Sequence, residues 1–387
     1  MVVFVWTVVI GILNGTDIVD FSRKTVLSHV HAGTLGWITM CVFAASLWLF
    51  GATATRGQVR AARALVLAAI ITLPAFALTF AITYAEGRAV MGSFAFASIV
   101  GFFAWVLWRL RSVEVTTVHL GFLAAVATSV AGGAIGVLLA TKIATGRNVL
   151  PSGGEDAHPA TMVVGFLIPV GMALAEWALG WPTLRKASRL GTAQMALPFI
   201  GGILLMLSLL LEIEPLAPIA ALIEFAGVVI FVIRHFGAAK RVDWKTPTPA
   251  RYAVAAGVAI VANILFINYL AGRHKGDFDN VPTEQLLALD HMMFIGVLTN
   301  AIFGLLLVVA RRDGRGRIAD QAVFFGMNIG LVGFVVSLLG DLTWLERAST
   351  PLMGASILTG LAVYTMRLAS REATESFPVV VAEAATP

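Results

Sequence analysis

Long apolar runs alternate with short breaks rich in charge, Pro and Gly along nearly the whole chain. The runs fall near residues 1–14, 26–50, 62–83, 89–108, 117–141, 158–181, 190–211, 215–233, 252–271, 284–310, 318–340 and 350–366. Most reach the roughly 20 apolar residues that carry a helix across about 30 Å of hydrocarbon. Lipid leaves only helices or a closed barrel to satisfy a spanning backbone, and none of the runs shows the apolar–polar alternation of barrel strands. The pattern therefore predicts an all-α polytopic membrane protein with about 12 transmembrane helices. The first run is short, about 21 Å as a helix. It has no basic leading segment, so it reads as a span extending towards Asp17 rather than as a signal peptide.

Composition narrows the class further. Of 387 residues, 58% are hydrophobic and only 13% are charged, against roughly 25% charged in a soluble domain. With a mean hydropathy of +0.88, a soluble enzyme is excluded. The net charge of +5 and pI near 9.7 do not point to nucleic acid. The basic residues sit in short clusters between apolar runs, and no basic domain exists to receive a duplex. The partner implied is membrane lipid. If the N-terminus is cytoplasmic, the inner connections and tail hold 19 of the 27 Lys and Arg, and the outer loops hold 8. The outer ones are Arg23, Lys24, Arg88, Lys142, Arg147, Arg273, Lys275 and Arg347. This is the sign that the positive-inside rule requires, and it places both termini in the cytoplasm of a cell with the protein in its inner (plasma) membrane. The single cysteine, Cys41, lies inside an apolar run and allows no disulfide framework, thiolate metal cluster or covalent haem attachment.

The seven histidines carry the most information. His235 and His274 fall in predicted loops and read as solvated, and His119 opens the fifth span, where it can cap or snorkel. His29, His31, His158 and His291 lie near the outer ends of the second, sixth and tenth spans. Insertion has no need of them there, so they read as functional. His29 to His158 is 129 residues and His158 to His291 is 133, while the spans advance by four each time. This suggests one transmembrane domain, 1–387, built from three pseudo-repeats at about 1–115, 116–250 and 251–370, with 371–387 as a cytoplasmic tail. Gly36-Trp37 and Gly165-Phe166 follow His29 and His158 at equal spacing, and Gly296 stands approximately so after His291. Glycines seven residues on project to the same helix face and would clear space beneath each imidazole, or serve helix packing. His29 and His31 are about 200° apart on a helix and cannot serve one site together. The glycine and the match to His158 favour His29.

Twelve spans, three groups of four and histidines on spans two, six and ten resemble the catalytic subunit I of the haem-copper oxidase superfamily. The string from His29 through His31 to Gly36-Trp37 is similar to segments of its shorter, divergent members related to cbb-type oxidases and nitric oxide reductases. His158-Pro159 is similar to a His-Pro pair at the sixth span of some oxidases. The resemblance implies a non-covalent, b-type haem held by His29 or His31 together with His291, and copper at His158. It also implies an electron-donor subunit or cytochrome as partner, and electron transfer or nitric oxide or oxygen handling as the activity. The chain departs from the pattern in the seventh span, 190–211, which has no histidine, and in the tenth, which has only His291. Met162 stands one turn after His158, where the family has Tyr. What remains suffices for one bis-histidine haem, or for one metal held by His29, His158 and His291.

Other polar groups interrupt the spans. Glu224 near the middle of the eighth and Glu176 in the sixth suit a proton relay or an interhelical hydrogen bond. Asn263, Asn268, Asn300 and Asn328 lie in later spans, and Pro74, Pro169 and Pro198 mark kinks or unwound turns. Asp290 diverges by about 100° from His291 on a helix and is poorly placed to orient it. The segments 148–154 and 272–280 read as flexible outer loops. A polytopic transporter, or a metal-binding membrane protein using the same histidines without haem, is the alternative.

Overall fold

The computed structural model describes residues 1–180, 183–274, 276–310, 317–369 and 380–382. Lys275, Arg311, Arg312, Arg315, Arg371 and most of the tail therefore lie outside the described residues. Among the described residues twelve helices of 14 residues or more run in sequence: α1 Val2–Gly15, α2 Arg23–Gly51, α3 Arg56–Ile82, α4 Ala85–Leu110, α5 Thr117–Thr145, α6 Gly154–Gly180, α7 Arg189–Leu210, α8 Leu216–Ala239, α9 Pro249–Arg273, α10 Thr283–Val309, α11 Arg317–Gly340 and α12 Thr343–Ala369. Eleven of them are long and apolar enough to cross a bilayer. The chain is an all-α polytopic membrane protein, as the hydrophobic runs predict.

The exception is α1. At 14 residues it falls short of a full span, and it does not extend through Asp17. The Thr16 hydroxyl donates to the Ile12 carbonyl at 2.7 Å, and Asp17 takes a left-handed φ of 56°. Asp17 then pairs with Arg347 at 3.0 Å. Pro74 and Pro198 lie inside the continuous helices α3 and α7, and Pro169 follows the π-helical stretch Thr161–Leu167 of α6.

By their internal contacts, the residues fall into two compact units. The first comprises Met1–Thr34, Leu174–Trp181 and Phe236–Phe377, and the second comprises Leu35–Ala173, Pro182–His235 and Pro378–Pro387. In the second unit a short strand β1, Thr183–Arg185, pairs in parallel with β2, Val380–Ala382. Burial is unequal among the helices. The most apolar windows of α6 and α10 are 78% buried and that of α2 is 56%, whereas α3 and α8 bury only 22% and 28%. The helices that carry the outer histidines are therefore the three whose apolar windows are most buried in protein.

Those same three helices share a second property. Each contains a π-helical stretch just after its histidine: Thr34–Thr39 in α2, Thr161–Leu167 in α6 and Met292–Thr299 in α10. A π turn inserts a residue and spoils the regular ladder, so it persists only where surroundings hold it, often at functional sites. In α10 side chains take up carbonyls of the widened turn. The Thr299 hydroxyl donates to Phe294 at 2.8 Å and the Asn300 amide to Gly296 at 3.0 Å.

At the opposite ends of the helices, arginines repeat in the same manner. Arg109, 1% exposed at the end of α4, donates to the Gln58 amide oxygen at 2.8 Å, the Phe50 carbonyl at 2.7 Å and the Thr53 hydroxyl at 2.7 Å. Gln58 opens α3, where it also forms a capping box with Thr55. Arg234 near the end of α8 donates to Gln194 near the start of α7. Arg367 near the end of α12 pairs with Asp320 at the start of α11 at 2.8 Å. A guanidinium thus ties α4 to α3, α8 to α7 and α12 to α11.

Candidate functional site

All four outer histidines use the ring in one way. Nδ1 meets a backbone carbonyl: Thr7 for His29 at 2.8 Å, Leu27 for His31 at 2.8 Å, Gly132 for His158 at 2.9 Å and Leu287 for His291 at 2.8 Å. A carbonyl only accepts, so Nδ1 must carry the proton and the neutral ring keeps its lone pair on Nε2. That is the tautomer of a metal-ligating imidazole whose second nitrogen is anchored by the protein. The Nε2 atoms of His29, His158 and His291 have no hydrogen-bond partner among the described residues. His119 is the contrast. Its Nδ1 meets the Thr116 hydroxyl at 2.7 Å and its Nε2 the Leu49 carbonyl at 3.2 Å. Both nitrogens are consumed, so His119 is a cap and interhelical tie, in line with its sequence reading.

His29 and His158 sit in matching cradles. The Thr7 carbonyl that receives His29 is followed four residues on by Gly11, where a Cβ would lie 3.4 Å from the His29 Cε1. The Gly132 carbonyl that receives His158 is followed four residues on by Gly136, where a Cβ would lie only 2.7 Å from Cε1. The two cradles are on α1 and α5, helices four apart in the order. His291 belongs to a different register. Leu27, His31, Gly36 and Thr39 recur as Leu287, His291, Gly296 and Thr299, each 260 residues on. In that register His291 matches His31, and both fold back onto the carbonyl four residues earlier in their own helix. In the same register Leu289 stands 260 residues after His29 and Ala271 260 residues after Gly11, so neither the imidazole nor its glycine recurs there. The spacing of 133 from His158 to His291 hid this match. Comparing from His31 instead would have exposed it.

His29 and His291 both lie in the first unit. The His291 ring packs on Phe334, with centroids 4.7 Å apart. His31 lies in the same unit, and His158 in the second. Among the described residues, no three of His, Cys, Asp and Glu form a group able to hold a metal ion. His235 is not in a loop, because α8 continues to Ala239 and places His235 against Phe231, with centroids 5.0 Å apart. His274 does follow the end of α9, in a turn.

Gly165 and Gly296, which follow His158 and His291, serve close packing. A Cβ on Gly165 would lie 2.6 Å from Thr128 Cγ2, and one on Gly202 would lie 2.4 Å from the Gly165 Cα, so α7 crosses α6 at backbone contact. Likewise a Cβ on Gly296 would meet Ala259 at 2.8 Å. The segment 148–154 is also not free. Leu150 is 4% exposed and packs with Ile135, Ala157 and Met206, and Ser152 donates to the Glu212 carboxylate.

Among the remaining polar groups, Asn300 and Asn328 exchange amide hydrogen bonds at 2.9 and 3.0 Å, and Asn263 donates to the Leu289 carbonyl at 2.7 Å. These are interhelical ties. Glu176 and Asp290 are half-buried. Glu224 is buried, with Oε1 lacking a hydrogen-bond partner. No protein-family model and no curated protein matches this chain.

Proposed function

We propose that the chain is a haem-binding membrane protein resembling haem-copper oxidase subunit I, in which His29 and His291 would hold one non-covalent b-type haem. The observation that carries this reading is the common anchoring of the imidazoles, which directs the proton to Nδ1 and leaves Nε2 to bind a metal. The membership of His29 and His291 in one unit supports the pairing. His31, in register with His291, is the substitute for His29. Haem, when bound, supplies a redox-active iron, which suits electron transfer or the handling of nitric oxide or oxygen. The chain's own contribution is to fix each ring and to wall the iron from lipid, which fits the deep burial of α10. The residues do not fit the family's copper centre: α7 contains no histidine, and no three-ligand group forms around His158 among the described residues. No step is assigned to copper.

Three further statements belong to the same proposal. The chain is a threefold pseudo-repeat of four helices, supported by the recurring π stretches, the two glycine cradles and the three arginine ties. Both termini face the cytoplasm of the inner membrane, supported by the charge bias. The electron donor is a separate subunit or cytochrome.

The test is an optical spectrum of the purified protein, oxidised and dithionite-reduced. A sharp low-spin signal is expected, lost or converted to high spin in His291→Ala and in His29→Ala or His31→Ala, and retained in His158→Ala and His274→Ala. A protein that takes up no haem when expressed with excess haem refutes the reading.

A further inference from the structure

The second unit carries an apolar groove. Its floor is α5, against which α4 and α7 both pack as walls. Phe103 and Leu107 line it from α4, Ala124 and Ala127 from α5, and Thr192 and Phe199 from α7. The volume is about 340 Å³, inside the roughly 300–1,000 Å³ of pockets that take small molecules. Thr192 is the one polar residue among the ten that line it. From Thr192 to Phe199 the groove runs about 10 Å along the helix, a third of the roughly 30 Å of bilayer hydrocarbon. A slot so lined, on spanning helices, suits a slender hydrocarbon chain.

Its Leu107–Thr192 end lies where α4 stops and α7 starts, and there each wall continues into an arginine. Arg111 stands four residues after Leu107, on the same face of α4, and Arg189 three residues before Thr192, on the same face of α7. Both are exposed, and neither side chain has an ion pair or hydrogen bond among the described residues. Glu114, the carboxylate of the α4–α5 connection, is already paired with Lys186 at 3.7 Å, and the first turn of α7 has no acidic residue. An apolar slot that ends at two uncompensated guanidinium groups is complementary to a hydrocarbon chain joined to an anion. A second copy of this chain is the poorer occupant, because a two-fold contact would bring the same arginines to the same end.

We infer that this groove binds an anionic phospholipid of the surrounding leaflet, with one acyl chain along Phe103, Ala127 and Phe199 and the phosphate at Arg111 and Arg189. Guanidinium groups offer the phosphate oxygens paired N–H donors. The inference stands apart from haem binding.

Native mass spectrometry of the full-length protein released from micelles tests it, with palmitoyl-oleoyl phosphatidylglycerol or phosphatidylcholine added. The wild type is expected to retain one phosphatidylglycerol at least about tenfold more tightly than phosphatidylcholine. Arg111→Gln with Arg189→Gln should abolish that preference, while Lys240→Gln with Arg241→Gln, beyond the end of α8, should leave it. Ala127→Leu, which fills the deep part of the floor, should weaken retention, and inorganic phosphate should not displace the lipid. Phosphatidylglycerol with a diazirine at the end of one chain should crosslink the wild type at peptides holding Ala127 or Phe199, a readout that needs no variant to fold. Equal retention of the two lipids, or a preference lost equally in the two double variants, overturns the headgroup site. Retention unchanged in Ala127→Leu, displacement by inorganic phosphate, or crosslinks confined to other helices overturns the acyl-chain groove.

Discussion

The cradle beneath His158 makes a quantitative demand that Gly136→Ala tests. The new methyl would lie 2.7 Å from the imidazole Cε1 and 3.1 Å from Nδ1, inside the roughly 3.5–4.0 Å of a relaxed contact. The ring must then move, and the 2.9 Å bond to the Gly132 carbonyl goes with it. Overpacking of this kind costs about 1–3 kcal/mol, while replacing glycine inside a helix returns about 0.5–1 kcal/mol. A net loss on the order of 1–2 kcal/mol follows. At Gly11 the corresponding distance is 3.4 Å, an ordinary contact. Gly11→Ala should therefore be neutral or stabilising by the helix gain alone. Mixed-micelle denaturation of the two variants measures the contrast. A cycle with His158→Ala isolates its cause, since removing the ring should turn the Gly136→Ala loss into a gain, a coupling well above the roughly 0.3–0.5 kcal/mol of independent sites. If Gly136→Ala costs the same with and without the imidazole, the cradle is not what the glycine is for.

Two other outcomes are checked more simply. Gln58→Leu leaves one donor of the buried Arg109 unpaired and should destabilise by about 1–3 kcal/mol, and Asp320→Asn, which strips the charge partner from Arg367, should cost about 3–5 kcal/mol, both read by the same denaturation assay. Reporter fusions after Arg189 and Arg317 should report cytoplasm, and fusions near Gly153 and Gly276 the outer compartment; one reversed signal would show that the alternation from α6 onwards is misjudged.

Helix positions are legible because each depends on a run of some twenty residues, so that a misread residue moves an end by about one or two turns and leaves the span in place. The predicted span 350–366 and the observed Thr343–Ala369 differ in this way, since the extra turns carry Glu346 and Arg367 that hydropathy alone rejects. Arg367 enters the helix because Asp320 pairs with it at 2.8 Å, a partner no local window contains. His235 was misplaced for the same reason: the polar Arg234 seemed to end the span, but Gln194 receives it and α8 continues. The segment 148–154 reads as a flexible loop because Asn, Pro, Ser and Gly make up five of its seven residues, although the buried Leu150 decides its order.

The site was legible in residue type but not in register. Imidazoles inside apolar runs announce a function whatever their spacing, so the four histidines were found. Which of them correspond depends on backbone geometry that periodicity does not report. A π turn adds a residue to the helix, so positions before and after it keep different spacings on the outer face. In α2, α6 and α10 that stretch begins five, three and one residues after His29, His158 and His291. Measured from the glycine inside it, His29 and His158 both stand seven residues before, whereas His31 and His291 both stand five before. Two kinds of imidazole position therefore exist, one anchored on the neighbouring helix over a glycine and one anchored on its own helix. α2 holds both, α6 only the first and α10 only the second. An axial pair built from His29 and His291 would use one of each, while His31 and His291 would be a like pair. The replacement that abolishes the low-spin spectrum decides between them.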